Sequence, residues 1–133
     1  MYGTFLFNSI LKMEERIIII ATLQLIENKL SELQKTVKEL QTHCLKTENG
    51  MLQYDWYLSD DGSTIKVLET YVNSAVVLFH FDNLKSFAPK LSKSRSFISL
   101  EVYGNANEEL KERVKKINAK HYAMISSLNK LQG

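Results

Sequence analysis

The sequence predicts an α+β fold: a four-stranded antiparallel sheet in βαββαβ order, with its helices on one face. Three observations carry this. Residues 17–25, IIIIATLQL, are dense in β-branched side chains and read as a buried strand. Next, Leu30, Leu33, Val37, Leu40 and Cys44 recur every three or four residues among Lys, Glu and Gln, which is the stripe of an amphipathic helix over about 27–46. The strand-then-helix pattern then repeats after a hairpin.

Each later element has its own signal. Asn49-Gly50 breaks the first helix. Residues 51–58 alternate, placing Leu52, Tyr54, Trp56 and Leu58 on one face. Ser59-Asp60-Asp61-Gly62-Ser63 is a hairpin turn with Gly62 free to take positive φ. The return strand, about 64–72, puts Ile65, Val67, Glu69 and Tyr71 on one face and Leu68, Thr70 and Val72 on the other. Asn73 caps a second helix with the stripe Val77, Phe81, Leu84, Ala88 and Leu91, and Pro89 marks its ragged end. Residues 96–103 form the fourth strand, with Ile98, Leu100 and Val102 on one face. Gly104 ends it, and Asn107 with Glu108 and Glu109 starts a third helix that closes on Lys115 and Lys116. Residues 119–126 are a weak strand or tail, in which Tyr122, Met124 and Ile125 would extend onto a partner copy.

The totals fit one soluble domain: 133 residues, 44% hydrophobic and 24% charged. The net charge of +2 comes from interleaved acids and bases, which argues against a nucleic-acid surface. No apolar run reaches the roughly 20 residues of a membrane helix, so no membrane partner is expected. Cys44, the only cysteine, cannot form an internal disulfide and fits a reducing, cytoplasmic setting. Residues 1–15 read as an extension or a misassigned start ahead of Met13, residues 16–126 as the domain and 127–133 as a tail.

Helices on one side leave the other face of the sheet bare, and its strands are not cleanly polar. Burying that face against a second copy is the economical solution. Removing ~600 Å² of apolar surface from water contributes on the order of 15 kcal/mol gross, before association costs. A homodimer is the expected partner state.

The stretch YDWYLSDDGSTIKVLETYVNSAVVLFHFDNLKSF resembles the antibiotic biosynthesis monooxygenase-like family. Tyr54 and Trp56, the Asp60-Asp61-Gly62 turn, Glu69-Thr70-Tyr71 and Phe79-His80 carry the likeness, joined by Ile98 to Gly104 and then Asn107. It covers about Arg16 to His121. It implies a ferredoxin-like fold that pairs into a dimeric α+β barrel, with a cavity between sheet and helices that binds polycyclic phenols or quinones. The scaffold hosts oxygenases, haem-degrading enzymes and proteins of unknown role.

Five residues are the candidate site. His80, on an apolar helix with Glu69 on the strand opposite, is a candidate general base or a structural histidine. Glu69 in an apolar strand is paired, raised in pKa, or bonded across subunits. Tyr54, Trp56 and Tyr71 are candidate substrate-binding residues, with plain core packing as the alternative. His43 and His121 lie apart from His80 in sequence. No spacing supports zinc and no glycine-rich loop supports a nucleotide, so no metal or cofactor is expected. The Lys/Glu-rich face of the first helix reads as solvated. The reading is a cofactor-independent oxygenase of a small aromatic ligand. The alternatives are a non-enzymatic ligand-binding or accessory dimer and, ranked below it, a haem protein with His80 as axial ligand.

Overall fold

The computed structural model describes residues 14–128. The expectation for residues 1–12 and most of the 127–133 tail lie outside the described residues. Strands β1 (Ile17–Leu25), β2 (Met51–Leu58), β3 (Thr64–Tyr71) and β4 (Arg95–Tyr103) form the sheet, with a short β5 (Lys120–Tyr122) at one edge. The order is β2-β3-β1-β4-β5. The first four strands pair antiparallel in the ferredoxin-like arrangement, and β5 joins β4 in parallel.

The run of isoleucines at the start of β1 serves both faces because side chains alternate along a strand. Ile17 and Ile19 are fully buried, while Ile18 is 40% exposed. Register extends each position into a row: Tyr54, Glu69, Ile19 and Val102 lie across the sheet from one another, and Trp56, Val67, Ala21 and Leu100 form the next row. Both rows face the core. Helix α1 (Leu30–Thr47) closes over it with Leu33, Val37, Leu40 and Cys44. Val77 of α2 (Ser74–Asn83), Leu91 of the four-residue α3 (Ala88–Leu91), and Leu110 and Val114 of α4 (Glu108–Lys115) complete it.

Both predicted asparagine caps form. The Asn73 side chain accepts the Val76 N–H and the Asn107 side chain accepts the Leu110 N–H. Gly62 has φ 76° in the hairpin. Helix α1 starts at Leu30 rather than 27, because Asn28 takes φ 66° and the Lys29 N–H turns back to the Ile26 carbonyl. The long second helix is broken as well. A 3₁₀ turn at Leu84–Ser86 ends it before the proline, and Pro89 opens α3, where its missing N–H is harmless.

Two β-bulges correct the predicted faces. In β2 the pairing steps from Met51 to Gln53, so Leu52 drops off the shared face and is 52% exposed. Leu58, at the strand end, is 39% exposed. In β4 the pairing passes over Ile98, which is 51% exposed, while Leu100 and Val102 stay buried. The sheet also gains a strand. Residues 120–122 pair with this chain's own β4, held by His121 Nε2 donating to the Gly104 carbonyl (2.8 Å) and by the Tyr103–Tyr122 stack (5.1 Å, 13°). Met124 and Ile125 follow it outside any strand.

Gly104 makes this exit possible. Its φ is 122°, and a Cβ there would stand 2.6 Å from the Arg16 carbonyl oxygen. Gly62 has positive φ but nothing within 4 Å of a Cβ. Gly104→Ala is expected to cost about 3 kcal/mol in denaturant unfolding, and Gly62→Ala about 1 kcal/mol. Equal losses would refute the account of the exit.

Candidate active site

The five sequence-nominated residues converge. Tyr54 on β2 and Glu69 and Tyr71 on β3 point from the sheet, and His80 descends from α2 to meet them. The His80 ring lies edge-on to Tyr54 (centroids 4.9 Å) and tilted against Tyr71 (5.6 Å), and Trp56 packs edge-on to Tyr54 (5.9 Å). The Tyr71 hydroxyl donates to Glu69 Oε1 in a short hydrogen bond. His80 Nε2 stands 3.7 Å from that same oxygen.

Glu48 is the residue that sequence reading missed. It caps the end of α1, just beyond the helix predicted over about 27–46, and is only 4% exposed. His80 Nδ1–H donates to its carboxylate at 2.9 Å, and Asn83 Nδ2 donates at 2.8 Å. Asn83 in turn accepts from His43 Nε2 at 2.7 Å. Four-residue spacing from Cys44 put Glu48 on the buried stripe, which was the available signal.

Burial raises Glu48, but hydrogen bonds from His80, Cys44 and Asn83 outweigh it and hold the carboxyl below its usual range. Burial dominates at Glu69 and pushes its carboxyl up, with His80 and Tyr71 offsetting only part. Burial, with Glu69 nearby, also lifts the Tyr54 and Tyr71 hydroxyls well above the phenol range. His80 thus lies between a carboxyl held below its usual range at Nδ1 and one pushed above it near Nε2.

The donor atoms of Cys44, Glu48 and His80 lie within 4.8 Å of one another and are the one such metal-competent group among the described residues. Their chemistry points elsewhere. His80 and Asn83 already engage the Glu48 carboxylate, and burial raises the Cys44 thiol so that it keeps its proton. Haem ligation fits poorly too, since His80 is 0% exposed and its ring lies between tyrosines.

An open cleft of about 1060 Å³ runs between α1 and edge strand β2, floored by Leu33, Val37, Trp56 and Ile65. Trp56 is its one lining residue from the nominated set. The indole Nε1 of Trp56 and Nε of Arg95 are buried without a hydrogen-bond partner among the described residues. Burial holds the Arg95 guanidinium below its ordinary value, and Tyr54 lies in its neighbourhood.

Residues 16–88, more than half of the chain, match the antibiotic biosynthesis monooxygenase family. The chain belongs to that family. No curated protein sequence matches it. Among solved structures, MupZ from Pseudomonas fluorescens is similar at TM-score 0.78 and 15% identity, over 88% of this chain and 91% of that one. A conserved protein from Methanosarcina mazei is similar at TM-score 0.63 and 21% identity, over 72% and 98%. A Caulobacter crescentus protein described as a candidate antibiotic biosynthesis monooxygenase is similar at TM-score 0.63 and 22% identity, over 76% and 99%. At these identities the likeness is one of fold. Among the described residues of this family member, no helix is long and apolar enough to cross a membrane.

The raised Glu69 sets a sign for pH. The folded state holds this proton more tightly than the unfolded chain, so the associated stability is full below the ordinary carboxyl range. It is lost as pH rises through the raised value. Glu69→Gln, which mimics the protonated acid, should gain in Tm relative to wild type as pH rises above the ordinary carboxyl range. A Tm difference that is flat with pH would contradict the assignment.

Proposed function

We propose that the protein is a cofactor-independent oxygenase of a small phenol or quinol, working as a homodimer. The observation that carries the reading is the Trp56 Nε1–H, a buried donor without a partner among the described residues, on a side chain that packs against Tyr54 and lines an apolar cleft. A buried donor left unpaired costs roughly 1–3 kcal/mol, and the oxygen of a bound phenolate or quinone would satisfy it.

The chemistry asks for a base in a dry place. Glu69 suits it better than His80. It keeps 6% exposure where His80 has none, and its raised pKa brings it towards working pH. Glu69 accepts the phenol proton while Tyr71 orients its carboxylate. His80, fixed by Glu48 through Nδ1, places its Nε2 3.7 Å from the Glu69 carboxyl. The electron-rich phenolate passes one electron to dioxygen, the resulting radical pair combines at a ring carbon, and loss of water leaves a quinone. The substrate is the reductant, so no other electron donor enters the balance.

Full burial of His80 favours a second reading, a non-enzymatic carrier in which the same residues are structural. Oxygen uptake with a panel of phenols and quinols separates the two. The oxygenase reading expects uptake that falls about 100-fold or more in folded Glu69→Gln. Cleft binding without uptake by wild type would leave only the carrier.

The bare face supports the dimer. Ile18 and Ile20 of β1 sit with Leu68 of β3 and Tyr103 of β4, mixed with Thr22, Lys66, Thr70 and Glu101. Ile20→Glu places a charge at the middle of this face and should halve the mass seen by light scattering, with the secondary structure kept. A wild type of monomer mass would refute the pairing.

A further inference from the structure

The cleft between α1 and β2 has a floor and a rim of different chemistry. Its floor is aliphatic and aromatic, and its volume of about 1060 Å³ suits a flat ring system with substituents. The charged residues at the rim are Lys35, Lys38, Glu39 and Asp55. Glu39 is taken by Lys90 at 3.0 Å, so three cations stand against two carboxylates around the rim; the Gln53 amide that Asp55 accepts at 2.8 Å is neutral and adds no charge. Lys35 and Lys38 make no ion pair among the described residues, and both are exposed. Lys38 also borders a shallow depression lined by Glu39, Thr42, His43 and Lys46, so a further lysine follows along the same helix.

We infer that the ligand of this cleft carries an acid group: an aromatic body lies against Trp56, and its carboxylate meets Lys35 and Lys38 at the mouth. This rests on the cleft being the ligand site of the proposed function, and it narrows the substrate class from any phenol to a phenolic acid. The apolar floor supplies burial, and the paired cations select the anion and steer its approach.

Trp56 is the chain's single tryptophan and lines the cleft, so its fluorescence reports occupancy directly. The probes are a hydroxynaphthoate and the hydroxynaphthamide of the same substitution, which share ring and size and differ in whether that group is an anion or a neutral amide. Wild type should bind the acid at least about tenfold more tightly than the amide. The double variant Lys35→Glu, Lys38→Glu changes only exposed side chains. It should remove the preference while leaving the amide Kd unchanged, and about 1 M salt should shrink the preference in wild type. Equal affinities, a preference that survives the double variant, or no quenching by either probe, as when a second copy fills the cleft, would overturn the inference. Oxygen uptake distinguishes the two ideas. An acid preference without turnover sinks the oxygenase and spares the ligand class, whereas turnover without an acid preference does the reverse.

Discussion

Glu48 and Glu69 bring two carboxyl groups into a core otherwise built from Ile, Leu, Val and aromatic rings, and His80 lies between them. An isolated buried ion costs several kcal/mol, so each group must find partners inside the protein. Glu48 bears an added burden at the negative end of α1, where a carboxylate is disfavoured. His80 and Asn83, both from α2, meet that need. The two helices are thereby latched at one point, with Thr47 and His43 of α1 also bonded to Asn83. The latch fixes the imidazole by its Nδ1 and leaves Nε2 facing Glu69 and the tyrosines.

On the sheet side, register supplies the opposing wall. Pairing of β2 with β3 sets Tyr54 against Glu69 and Trp56 against Val67. The bulge at Leu52 shifts the alternation so that Met51, rather than Leu52, joins them in the core. Trp56 stands at the edge strand, which lets a single residue belong both to the aromatic cluster and to the open cleft. The chemistry-bearing groups are deep, and the cleft is shallow. Tyr54 and Trp56 are the bridge between them.

Much of this was legible in the sequence, and the reasons are local. Strand and helix periods, the asparagine caps and the Gly62 turn depend on neighbours within a few residues, so β1, β2, β3 and both caps were readable directly. That Glu69 would lie opposite His80 followed from the βαββαβ order, and the shared face of Tyr54 and Trp56 from alternation; the packing of His80 between Tyr54 and Tyr71 came only from the fold. The bulges at Leu52 and Ile98 were not legible either, because a skipped residue satisfies pairing across the sheet and leaves no mark in composition. Pro89 misled for a related reason: its missing N–H is as well suited to opening a helix as to ending one.

The sequence by itself determined the four main strands, the first helix and the βαββαβ order, since those follow from side-chain period and hydrophobicity. Only the tertiary structure decided the environment of the titratable groups. Whether Glu48 is solvated or buried, and which carboxyl is lowered and which raised, depends on groups 32 and 21 positions apart that meet solely on folding. Electrostatic energy is set by distance and desolvation in space, and neither is written along the chain.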